Sequence, residues 1–149
     1  MKPIKIVTTV LCLAMILSMR LILLLNWNSL PDKVPTHFAF DGTAEKYSGK
    51  AFLFVSPVMA AVIFVLITVM QKFPKLWNFP VEITNENRER EYLIAHMMLD
   101  VVKVMITALF LVSMLASMIS GFPAWPITVL VAVMLASVLG GIVVMIRLK

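Results

Sequence analysis

The chain has 149 residues, about one domain's worth, with 61% hydrophobic residues, 14% charged residues and a formal charge of +5. Soluble domains carry roughly 45–50% apolar and about 25% charged residues, so this chain has too few polar groups to cover a water-facing surface. Most of its surface must face lipid. The basic residues are scattered and mostly flank apolar runs, which reads as topology signals and headgroup contacts. Nucleic acid is not an expected partner, because binding it needs a clustered basic face. The lone Cys12 cannot form an internal disulfide and sits in an apolar run, so it reads as a small buried hydrophobe.

A spanning helix needs about 20 mainly apolar residues at about 1.5 Å each. The first such run covers about 4–27, broken only by Arg20. Lys2 and Lys5 precede an apolar stretch as in a signal peptide, but no small-residue cleavage site follows, and the run reads as an uncleaved span. Arg20 lies about 10 Å from the outer end of this span at helical rise. It can reach headgroups, or tie down the following loop through Asp32, Asp41 or a loop carbonyl.

Residues 28–50 form a polar outer loop. Pro31 and Pro35 favour extended backbone. Thr36, Phe38 and Phe40 then share one strand face, with His37, Ala39 and Asp41 on the other. Asp41-Gly42 is a turn signal. The expectation is a two-stranded flap with Phe38, Phe40 and Tyr47 turned to the bundle or lipid. His37, near Asp41 and Glu45, reads either as a metal or pH-sensing group or as a side chain bonding loop backbone to lock the flap. A structural zinc site wants four nitrogen or sulfur ligands. The loop offers one histidine and no cysteine, so no metal is expected.

The second span covers about 51–71 without a charge. The loop 72–92 follows. Its Lys72 and Lys75 can meet anionic headgroups, and Thr84 or Asn85 would cap a helix bearing Glu86, Glu89 and Glu91 beside Arg88 and Arg90. This mixed-charge run reads as a solvated face and as the docking surface for a partner inside the cell.

The third span covers about 93–119. Tyr92, His96, Asp100, Lys103 and Thr107 recur at helical spacing along one of its faces. Ionisable groups in a span are functional suspects. The stripe reads as a helix resting at the inner interface, with Lys103 snorkelling to the headgroups, or as the wall of an inner vestibule. Ser120 to Ala124 make a short glycine- and proline-broken turn into the fourth span, about 125–146. There Ala132, Ala136 and Gly140, with Gly141 beside them, form a small-residue stripe. It is expected to pack within the bundle, homodimerisation being the alternative.

Eight lysines and arginines (Lys2, Lys5, Lys72, Lys75, Arg88, Arg90, Arg147, Lys149) fall on one side, against Lys33, Lys46 and Lys50 on the other. The bias places both termini in the cytoplasm. Trp27 and Trp125 suit the outer interfacial belt and Trp77 the inner one.

Leu30-Pro31-x-x-Val34-Pro35-x-His37-Phe38, then Gly42, Tyr47 and Lys50, is one motif. Asn78-Phe79-Pro80-Val81-x-Ile83-Thr84-x-Glu86-Asn87, then Tyr92, is a second. Together they resemble the bacterial membrane domain of unknown function at the N-terminus of SdpI-like immunity proteins, from span one into span three. The resemblance implies no established chemistry. Its best understood members protect a producing cell from its own peptide toxin while relaying a signal to a cytoplasmic repressor. The chain reads as lacking the further membrane domain of longer members. His37, Phe38, Asp41, Gly42, Tyr47, Lys50, Asn78, Pro80 and Asn87 become ligand or partner candidates. Arg20, His96, Asp100 and Lys103 are the intramembrane polar ones.

The sequence holds no phosphate-binding glycine loop, HExxH or GxSxG. The expectation is an all-α, antiparallel four-transmembrane-helix bundle with a small extracytoplasmic hairpin, multi-pass in the bacterial cytoplasmic membrane. It is read as a non-enzymatic interaction protein without cofactor, serving toxin-peptide immunity or envelope signalling, with a peptide ligand outside and a protein partner inside. The alternatives are a small transporter or transporter subunit using the third-span stripe, and an enzyme using His37 with nearby carboxylates.

Overall fold

The computed structural model describes residues 2–39, 43–123 and 125–148. In chain order it contains α1 (Lys2–Asn26), β1 (Lys33–Phe38), β2 (Ala44–Gly49), α2 (Val55–Met70), α3 (Arg88–Met118) and α4 (Trp125–Arg147). A 3-10 turn, Lys50–Phe54, leads into α2, and another, Pro74–Leu76, follows it. Four helical stretches, Ile4–Asn26, Lys50–Met70, Arg88–Met118 and Trp125–Arg147, are long and apolar enough to cross a membrane. The chain is a multi-pass membrane protein. Its exposed aliphatic side chains, such as Leu17, Leu25, Leu66 and Leu139, suit a lipid solvent and would be a liability in water.

α3 organises the packing. It contacts α1, α2, α4 and β1, whereas α4 packs chiefly on α3. The apolar core lies towards the hairpin end, where Ile16, Met19 and Leu23 of α1 meet Leu30, Val34, Leu53, Ala60 and Met114. Met145 is the one fully buried side chain described in α4. The small-residue stripe therefore does not pack inside the bundle as expected. Ala132, Ala136 and Gly140 face outward. Gly141 alone meets a neighbour, since a Cβ there would collide with the Met98 side chain. One-residue rotation about a helix is 100°, so adjacent glycines can serve opposite faces.

α3 begins at Arg88, earlier than the apolar run suggests. Its 31 residues span about 46 Å, against a hydrocarbon core of about 30 Å, so one end must project or the helix must tilt. Counted back from Met118, the core boundary falls about 20 residues away, near His96 to Leu99.

The flap is an antiparallel hairpin, with Lys33 opposite Gly49 and Phe38 opposite Ala44. Register irregularities flank His37, between Pro35 and Phe38, and Ala39 N–H closes the turn onto the Thr43 carbonyl at 2.8 Å. Val34 is fully buried, Thr36 and Phe38 are half-buried, and His37 is exposed. Pro35 and Ala39, on the same face as His37, are half-buried as well, so burial along the strand does not alternate strictly. Phe40, Asp41 and Gly42 lie outside the described residues.

Candidate functional site

The third-span stripe converges on α2 and α1 inside the bundle. Lys103 Nζ lies 3.1 Å from Asp100 Oδ1, one helical turn away, and the two side chains are only 2% and 5% exposed. Gln71, the residue just past the end of α2, closes a triangle with them. Its Nε2 donates to Asp100 Oδ1 at 2.9 Å, and its Oε1 accepts from Lys103 Nζ at 3.1 Å. The ammonium also sits 5.6 Å from the centroid of the Phe64 ring, close enough for a cation–π attraction. Thr107 donates to the Lys103 carbonyl at 2.8 Å, and Cys12 faces this group from α1. A buried unpaired charge is very costly, and here each charge has both a counter-charge and a neutral hydrogen-bond partner.

This corrects the interfacial reading of the stripe. Asp100 and Lys103 point into the bundle and are sealed there. Lys103 does not snorkel, because Asp100 and Gln71 supply inside what the headgroups would supply outside. Gln71 is the member that sequence reasoning missed. A polar residue closing an otherwise apolar span was its signal.

His96 lies one helical turn before Asp100. It is buried, its ring meets the Trp77 ring edge-on at 4.8 Å, and its Nδ1 has no partner among the described residues. Trp77 is itself pinned, its indole N–H donating to the Met70 carbonyl at 2.9 Å. Tyr92 leaves the polar stripe and stacks on Phe79 at 5.4 Å. Glu91, read as part of a solvated face, is fully buried. Arg90 donates to its Oε1 from Nε and Nη2 at 3.1 and 3.0 Å, while Oε2 is unpartnered among the described residues. Glu86, Arg88 and Glu89 are exposed, as expected.

Of the second-loop candidates, Asn78 and Pro80 are exposed, and Asn87 is buried with a structural task. Its Oδ1 accepts from Thr84 N–H at 2.8 Å, its Nδ2 donates to the Glu82 carbonyl at 2.9 Å, and its own N–H donates to Thr84 Oγ1 at 3.3 Å. This reciprocal box leads into α3 with Thr84 as its capping residue, as expected, and Asn87, three residues on, as the side chain that reaches back; Asn87 itself makes no side-chain bond to the first turn of α3. Asn87→Ala should cost about 1–2 kcal/mol by freeing two part-buried backbone groups. A drop in the thermal unfolding midpoint in detergent, largely restored by Asn87→Asp, checks it.

At the hairpin end, Lys50 acts as a clamp. Its Nζ lies 5.1 Å from the centroid of the Trp27 ring and 3.5 Å from Asp32, and its N–H bonds the Asp32 carbonyl at 3.0 Å. Trp27 is thus half-buried against Phe54 at 5.2 Å, while Trp125 is exposed. Asp32 pairs with Lys50 and not with Arg20. Arg20 is exposed and makes no ion pair among the described residues, so it does not tie the flap to α1 there. His37 makes no side-chain hydrogen bond to another described residue. With Phe38 it borders a cavity of about 330 Å³ over Ser113, Ile127 and Thr128. Tyr47 is exposed. The described His, Cys, Asp and Glu residues form no group of three or more able to hold a metal ion.

No curated protein and no solved structure matches the chain. A family model described as Domain of unknown function (DUF1648) matches residues 14–61, which run from α1 through the hairpin into α2 and include the first loop motif but not the second. Over that region the chain is similar to a membrane domain of unknown function.

Proposed function

We propose that this protein is a non-enzymatic membrane interaction protein. Its hairpin meets a peptide or envelope ligand outside the cytoplasmic membrane, and its 72–87 loop with the start of α3 meets a partner inside. The supporting observation is the distribution of buried polarity. The described buried polar side chains (Gln71, Asn87, Glu91, His96, Asp100, Lys103 and Thr107) all lie towards one end, and the core beyond Thr107 is apolar. A polar solute has no lined route through such a core, which disfavours the transporter reading. α3, by contrast, touches β1 at one end and carries the polar cluster towards the other, so it can couple a hairpin contact to the loop.

An antiparallel bundle with both termini in the cytoplasm fits this reading and the lysine and arginine bias. Toxin-peptide immunity, as in SdpI-like proteins, is its most specific form. Cells expressing the chain should survive secreted antimicrobial peptides better than cells without it. His37→Ala, at unchanged protein level, should abolish that protection. Equal survival with and without the protein rejects immunity, and flux into proteoliposomes that Asp100→Asn removes would move the function to transport.

A further inference from the structure

Between the 76–80 loop, α3 and α4 lies a cavity of about 460 Å³, walled by Leu76, Trp77, Met98, Val138 and Ile142 and floored by buried Met145. The volume falls in the roughly 300–1,000 Å³ range of small-molecule sites. The wall is built, because Trp77 is held by the Met70 carbonyl and by the His96 ring, and Met98 is seated against Gly141. Its lining is apolar apart from Asn78 in the loop. The chain entering that loop runs Lys72-Phe73-Pro74-Lys75-Leu76. All of these but Pro74 are exposed, Leu76 at 80%. A turn that exposes two bare apolar side chains, Phe73 and Leu76, beside two lysines is suited to the boundary where acyl chains meet headgroups. Neither lysine has an ion-pair partner among the described residues, and the acidic group that follows nearest, Glu82, leaves the segment net positive.

We propose that this cavity seats one acyl chain of an anionic phospholipid, with the headgroup phosphate held by Lys72 and Lys75. The cavity lies between two spanning helices, which lipids surround in a bilayer, and Lys75, next in the chain to the lining Leu76, with Lys72 one turn before it, selects the anionic ones. The bound chain would fill the gap between α3 and α4, and so strengthen the packing of a helix that otherwise leans chiefly on α3.

Native mass spectrometry of the full chain, released from detergent with equal phosphatidylglycerol and phosphatidylcholine of matched chains, tests this. The wild type should retain one phosphatidylglycerol in preference. Lys72→Gln with Lys75→Gln should reduce that preference about tenfold or more while leaving phosphatidylcholine retention unchanged. Ile142→Trp and, as a smaller filling, Val138→Phe should lose both lipids, and Val129→Trp on an exposed face should keep them. The proposal is overturned if the wild type retains neither lipid or both equally, or if both filled variants retain lipid as the wild type does. It also fails if filling the cavity removes a dimer in place of a lipid, which would make a second copy the occupant.

Discussion

Asp100→Ala is expected to destabilise the protein by about 3–5 kcal/mol, because it leaves the Lys103 ammonium buried without its counter-charge. Gln71 can offer that ammonium one carbonyl oxygen and no charge. The lysine must then lose its proton, draw water inward or pull α3 out of register, and each route costs stability. Asp100→Leu combined with Lys103→Met behaves differently. It removes both charges and fills their space with apolar groups, which is commonly neutral or stabilising for buried pairs. The double variant should therefore lie within about 1–2 kcal/mol of wild type, the loss of two hydrogen bonds at Gln71 being offset by the missing desolvation cost. Thermal or denaturant unfolding in detergent, read as a double-mutant cycle, measures this coupling. If the two variants are equally damaged, the cluster is hydrated and its charges are not a sealed pair. If the stable double variant also keeps the protective phenotype, the charges serve the fold alone. If it loses protection, the cluster takes part in coupling.

Why the spans were legible and the cluster only half so follows from what each depends on. About 20 apolar residues in a row admit few alternatives, and the ends of α1, α2 and α4 lie close to the composition breaks. The hairpin was legible for a similar reason, since Pro31 and Pro35 constrain the backbone locally. Side-chain partners are another matter. Gln71 is 29 residues from Asp100, and no periodicity links them. The helical spacing of Tyr92, His96, Asp100, Lys103 and Thr107 placed them on one face, but whether that face met headgroups or α2 depended on how the helices associate. The small-residue stripe failed in the same way. Its spacing was visible, its direction was not, and α3 took up Gly141 instead of the neighbouring Gly140.

Val34→Asp is expected to detach the hairpin from the bundle. Val34 is fully buried among Leu23, Leu30 and Leu53, and it joins the hairpin to the core of α1. A carboxylate there has no described cation close by in the core, since Lys50 is occupied at the hairpin base by Asp32 and Trp27. Undocking exposes apolar surface locally, but it costs less than burying an unpaired charge. Hydrogen exchange should thus show β1 and β2 amides losing nearly all protection, with α1 and α3 little changed, because local opening need not unfold the rest. Val34→Ala removes about two methylene equivalents and should lower hairpin protection about tenfold or somewhat more. His37→Ala should leave protection unaltered, since that side chain is exposed and unbonded among the described residues. The pair separates two ways of losing function. Protection against a toxin peptide that disappears in both variants, while the hairpin loosens in only one, assigns His37 to ligand contact and Val34 to presentation of the ligand surface. Unchanged hairpin exchange in Val34→Asp would instead mean that the strand is held by its clamp at Lys50, and that the apolar anchor is dispensable.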